Sequence, residues 1–137
     1  MKKIISIVSF VMLAACSSVG TPQNTVQKNS CVTAGASYLE HFVERPNGTC
    51  GRFPDMTENV SPSGEINLSG CSGTPRYVGC DVYLDNISCS KNGITVIENG
   101  KMSWASDGAS GFGIITLSAS NSSETCLSTY DVTAQRL

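Results

Sequence analysis

The sequence predicts an all-β fold, an antiparallel up-and-down barrel or sandwich of about eight strands, stapled by disulfides. Three observations predict it. After residue 30 no window sustains a 3.6-residue apolar period without an intervening Gly or Pro, so amphipathic helices find no support. Short runs rich in β-branched and aromatic residues recur instead, with turn dipeptides between them roughly every eight to twelve residues. Six of the seven cysteines, Cys31, Cys50, Cys71, Cys80, Cys89 and Cys126, fall in this region, an even number suited to three bridges.

Taken in order, SYLEHFVER makes a first strand over residues 37–45, and NGTCG ends it. Shorter strands are expected at Met56–Val60, Glu65–Ser69 and Val78–Asn86. The run ITVIENGKMSWA reads as a hairpin of Ile94–Glu98 with Lys101–Ala105, because Asn99-Gly100 suits a type I′ turn, whose two central positions both need positive φ. Asn92-Gly93 opens that hairpin, and Asp107-Gly108 turns the chain toward a strand at Phe112–Ala119. After the polar turn NSSET, CLSTYDVTAQRL forms the last strand, with Tyr130, Val132 and Ala134 on one face and Thr129, Asp131 and Thr133 on the other.

Cys31 precedes Tyr38 much as Cys126 precedes Tyr130, an echo that suits closure of the first strand on the last. Antiparallel pairing of those strands brings Cys50 toward Cys126, the preferred bridge; Cys71 with Cys80 across a hairpin is the second. Regular alternation also places Glu40 on the face of Tyr38 and Phe42, and Arg136 on the face of Tyr130. A buried charge needs a partner, so a Glu40–Arg136 ion pair is expected.

The amino terminus carries a different signal. Met1-Lys2-Lys3 precedes the apolar run IISIVSFVML, whose length as a helix is about 15 Å, half of a bilayer core. Such a run suits a secretory leader rather than a permanent span. Leu13-Ala14-Ala15-Cys16 resembles the lipobox of bacterial lipoproteins. That resemblance implies removal of residues 1–15 and lipidation of Cys16 by diacylglyceryl and often further acyl (palmitate-like) chains. Ser17 after the cysteine implies sorting to the bacterial outer membrane, with the domain on the periplasmic face or the cell surface. Residues 16–30 then form the lipidated cysteine and a polar tether with a reach of about 20 Å, and residues 31–137 a single β domain. Over that domain, the paired turns, the Trp104 hairpin and the terminal TYDVT are similar to small uncharacterised all-β lipoproteins of bacteria, a likeness that implies no activity.

Loss of the leader removes two of the nine Lys and Arg residues against eleven acids, and takes the net charge from −2 to −4. The remaining basic residues are scattered, which excludes the basic stripe of a nucleic-acid binder. Catalytic patterns fail in turn. His41 is the single histidine and sits mid-strand between Leu39 and Val43, a place for a surface side chain rather than a base. Ser88-Cys89-Ser90-Lys91 has the S-x-x-K spacing but lacks its companion motifs. Gly100-Lys101 lacks the glycine spacing and following hydroxyl of a phosphate loop. The carboxylate pairs Asp81/Asp85 and Glu40/Glu44 lie on strands, where acids are mostly solvated. The cysteines lack the close ligand pairs of a zinc site, and no metal or other cofactor is expected. The expectation is a non-enzymatic envelope lipoprotein, anchored to the membrane by its lipid, whose domain is a structural or binding module for a protein or wall polymer. The alternative is a carrier holding a small apolar ligand in a barrel cavity lined by Tyr38, Glu40, Phe42, Trp104, Phe112 and Tyr130.

Overall fold

The computed structural model describes residues 31–137 apart from Glu65 and 67–69; the leader, Cys16, the tether and most of the strand expected at Glu65–Ser69 lie outside the described residues. The described residues form eight strands: β1 (Ser37–Glu44), β2 (Met56–Asn59), β3 (Cys71–Ser72), β4 (Arg76–Val78), β5 (Asp81–Lys91), β6 (Ile94–Trp104), β7 (Ser110–Ser120) and β8 (Thr125–Arg136). They form one antiparallel sheet in the order β2-β1-β8-β7-β6-β5-β3, with β4 also paired to β5. The sheet curls into a half-barrel. The expected all-β antiparallel fold is therefore present, as a curled half-barrel, and its first long strand does pair with its last, Tyr38 opposite Arg136 through Glu44 opposite Tyr130.

The Asn99-Gly100 hairpin is not. Ile94–Trp104 runs through that dipeptide as a single strand, and the turn falls at Asn92-Gly93, with φ of 51° and 77°. Two Asn-Gly pairs competed for one turn. Turning at residues 92–93 leaves two eleven-residue strands paired along their length with a single bulge, whereas turning at 99–100 would forfeit half of each ladder. Asn99-Gly100 instead faces a bulge in β5 between Leu84 and Ile87, where Asn86 takes φ 53° and its N–H donates to the Asn99 Oδ1 at 2.8 Å. A Cβ on Gly100 would meet the Ile115 Cα at 2.8 Å, so glycine lets β6 and β7 approach where the sheet bends. The strand expected at Val78–Asn86 is likewise divided into β4 and β5 by the Gly79-Cys80 turn, and of the 65–69 segment Ile66 makes a bridge to Val60.

The concave face holds the core. Tyr38, Val82, Ile87, Tyr130 and Val132 are almost wholly buried, and each such apolar side chain contributes about 1.5–3 kcal/mol. Rings meet across it: Tyr38 against Trp104 at 4.6 Å between centroids, and Phe42, Phe53 and Tyr130 mutually at 4.7–6.2 Å. The hydroxyls of Tyr38 and Tyr130 each find a partner at an end of the half-barrel. Tyr38 donates to the Gly108 carbonyl at 2.7 Å and accepts from the Thr33 N–H at 3.0 Å, and Tyr130 donates to the Gly51 carbonyl at 2.8 Å. Around Gly51 the Glu44 carboxylate accepts the Gly51 N–H at 2.9 Å and the Ser128 hydroxyl, while Ser128 Oγ accepts the Cys50 N–H at 2.8 Å.

Three disulfides staple this frame: Cys31–Cys80, Cys50–Cys126 and Cys71–Cys89. Cys50–Cys126 is the bridge that the β1–β8 pairing predicts. Cys71 does not bridge to Cys80, because β3 pairs with the far end of β5 and sets Cys71 directly opposite Cys89. Cys80, in the β4–β5 turn, instead reaches the amino-terminal segment through Cys31.

Candidate binding surface

Period-2 alternation fixes which side chains reach the convex face, and on β7 it inverts the sequence expectation. Gly111, Gly113, Ile115, Leu117 and Ala119 point inward, so Phe112 and Ile114 point out; Phe112 is 67 % exposed and Ile114 44 %. Phe112 therefore lines no interior cavity. The inner positions are glycine for a packing reason. A Cβ on Gly111 would stand 2.8 Å from the Trp104 ring, and one on Gly113 would press on the Met102 sulfur. Glycine admits Trp104 and Met102 beneath β7 and leaves the large apolar side chains of this stretch on the outside.

Phe112 is flanked in register by Ser103 of β6 and Thr133 of β8, and Ile114 by Lys101 and Asp131. These six side chains border an open groove of about 410 Å³ across the middle of the sheet. Its charges are neutralised within the surface. Lys101 Nζ lies 2.6 Å from Asp81, whose carboxyl is held below its usual range by hydrogen bonds from Lys101 and Ser103. Arg45 grips Asp131 through Nε and Nη2 at 2.6–3.1 Å, lowering that carboxyl too. Further along the same face, Arg76 stacks over Tyr83 at 4.1 Å. The result is an apolar centre with a rim of hydroxyls and closed ion pairs. His41 also stands on this face, with Nδ1 2.6 Å from Asp55 and both side chains about half exposed, 51 % and 45 %.

The other residues named for a cavity are core. Tyr38, Phe42, Trp104 and Tyr130 are buried against one another, as the ring contacts above show. Glu40 is buried, 7 % exposed, but not beside Arg136. The register sets Glu40 opposite Ala134 and Arg136 opposite Tyr38, and Arg136, exposed, donates to Thr33 Oγ1 at 3.0 Å. Arg136 lies two residues beyond the partner of Glu40 and spends its guanidinium on Thr33, so the expected ion pair does not form. Glu40 is hydrogen-bonded instead to Glu58 of β2, 5 % exposed, and Glu98 of β6 faces both across the concave side. All three carboxyls are pushed above their ordinary range, chiefly by burial; Glu58 is raised further by the charges of Glu40 and Glu98, and Glu98 reaches about 7.

Sequence reasoning missed Glu58 and Glu98. Glu98 carried a signal, since it alternates with Val96, Gly100, Met102 and Trp104 on a single uninterrupted strand; the misplaced turn hid it. Glu58 carried none, because β2 is only four residues long. Among the described residues no group of three or more His, Cys, Asp or Glu is arranged to hold a metal ion. Comparison with protein-family models, with curated proteins and with solved structures found no match to this chain.

Proposed function

We propose that this chain is a non-enzymatic bacterial envelope lipoprotein, attached to the outer membrane by lipid on Cys16, whose β domain binds a protein partner through the Phe112–Ile114 face. The observation that carries the reading is Phe112, 67 % exposed in the middle of a sheet whose inner face is otherwise well packed. An apolar centre inside a polar rim is the anatomy of a protein contact, and aromatic anchors dominate the energy of such contacts. Burying one such ring contributes about 1.5–3 kcal/mol. The lipobox resemblance supports the anchor, and the entry of the chain supports its geometry. Cys31–Thr33 pack against the turn at residues 105–109, through Gly108, at the end of the sheet where β7 begins. Phe112 lies two residues into β7, about 7 Å from that end, so the face lies near the point where the chain enters the domain at Cys31.

The test places a photoreactive phenylalanine analogue at position 112 in the full chain in the living envelope, with position 127, 58 % exposed on the same face at the far end, as control. A discrete protein adduct from 112 and none from 127, lost when Ile114→Ser is added, is expected. Equal adducts from both positions, or cross-links to glycan alone, would refute a protein contact here.

A further inference from the structure

We propose that Glu40, Glu58 and Glu98 form a proton-operated latch on the edge strand β2: protonated, they hold β2 closed on β1, and their ionisation as pH rises releases it. The first support is geometric. Three acids from three strands face the inside of the half-barrel: Glu40 and Glu58 are 7 % and 5 % exposed on the inner side of the paired strands β1 and β2, and Glu98 alternates with buried Val96 and Met102 on β6, so bare carboxylates gathered there would repel one another.

The second support is that, among the described residues, no basic side chain lies on the inner face with the cluster. On the inner face β1 contributes Tyr38 and Glu40, β2 Glu58, β4 Tyr77, β6 Glu98 and β8 Tyr130, while the inward side chains of β5 and β7 carry no titratable group beyond bridged Cys89. Glu44 lies at one end, engaged with Gly51 and Ser128. His41, Arg45, Arg52, Arg76, Lys91, Lys101 and Arg136 are all exposed. A proton is thus what neutralises these acids, and raised carboxyl affinities for it agree.

The third support is that one element is poised to move. β2 is four residues long and its ladder is with β1 alone among the described strands, Ser37 opposite Asn59 through Glu40 opposite Met56. β1, by contrast, is held on its other side by seven register pairs to β8. Repulsion between Glu58 and its two neighbours therefore acts on the least supported strand of the three. Release returns Glu58 to water with an ordinary carboxyl affinity and leaves the β1 edge over Ser37–Glu40 unpaired, open to strand addition.

The sign follows from linkage. The closed form binds protons more tightly, so opening releases them, and each proton released raises the opening constant up to tenfold per pH unit above about 4.5 until the closed-form carboxyls have themselves ionised. The experiment is amide hydrogen exchange of the full chain in detergent between pH 4.5 and 8.5, corrected for the intrinsic pH dependence of exchange. Protection of residues 56–59 is expected to fall at least tenfold across this range while that of the β7–β8 ladder holds. Glu58→Gln, and separately Glu98→Gln should the first not fold, is expected to flatten the profile. Protection at 56–59 that is independent of pH, a fall shared equally by β7 and β8, or an unchanged profile in the folded variant would each overturn the latch.

Discussion

Replacing Glu98 by glutamine tests the physical basis of the buried acid cluster through global stability. In the folded chain burial, and then the Glu40 charge, lift Glu98 from 4.5 to about 7. Below pH 4.5 the group is protonated whether folded or unfolded, and its contribution to stability is fully present. As pH rises through 7 the unfolded chain releases this proton first, so that contribution is lost, and it stays lost above. A rise of about two and a half units at 1.36 kcal/mol each corresponds to a loss of about 3 kcal/mol between pH 4.5 and 8. Glu98→Gln removes this dependence and also the charge that Glu58 feels, so the variant loses at least one proton's worth of slope. A buried amide without a full set of partners costs about 1–3 kcal/mol, but it does so equally at both pH values and cancels from the difference. The assay is chemical denaturation with the disulfides intact at pH 4.5, 6 and 8, followed by Trp104 fluorescence. Wild-type stability should fall with pH, and the gap between variant and wild type should shift in the variant's favour by about 3 kcal/mol from pH 4.5 to pH 8. Parallel curves for the two proteins would refute the assignment of a raised proton affinity to Glu98.

Three further outcomes are expected. Cys16→Ser should abolish metabolic labelling by a fatty-acid analogue and leave the protein soluble or arrested with its leader attached; labelling that persists would remove the anchor. Reducing the disulfides should lower the melting temperature sharply, because the bridges of sequence separation 49 and 76 each restrict the unfolded chain by about 4 kcal/mol on the loop-entropy estimate, and an unchanged transition would contradict this. Gly111→Ala should destabilise by about 1–3 kcal/mol and shift Trp104 emission, since the added methyl meets the indole ring at 2.8 Å; a neutral effect on both would mean that β7 does not press on Trp104.

The placement of Phe112 shows where sequence reasoning stops. In GFGIITLSA both alternating registers contain large apolar residues, so periodicity alone does not choose a face. The choice was made by Trp104 and Met102, which need the glycines above them. The Asn-Gly pairs at 92–93 and 99–100 are equally good turns locally, and ladder length across β5, β6 and β7 decided between them. The partner of Glu40 depended on a register offset of two residues and on β2, an element too short to leave a pattern.

What the sequence determined by itself was set by local chemistry repeated along the chain: alternation and turn residues specify an all-β domain, the six cysteines after residue 30 specify three bridges, and the matching ends of the first and last long strands bring Cys50 to Cys126. What the tertiary structure alone decided was set by competition for space and partners between segments far apart: the pairing of Cys71 with Cys89, the outward turn of Phe112 and the meeting of three acids from β1, β2 and β6. Alternation states that a strand has two faces, but only the curl of the assembled sheet determines which face is inside and which side chains meet across it.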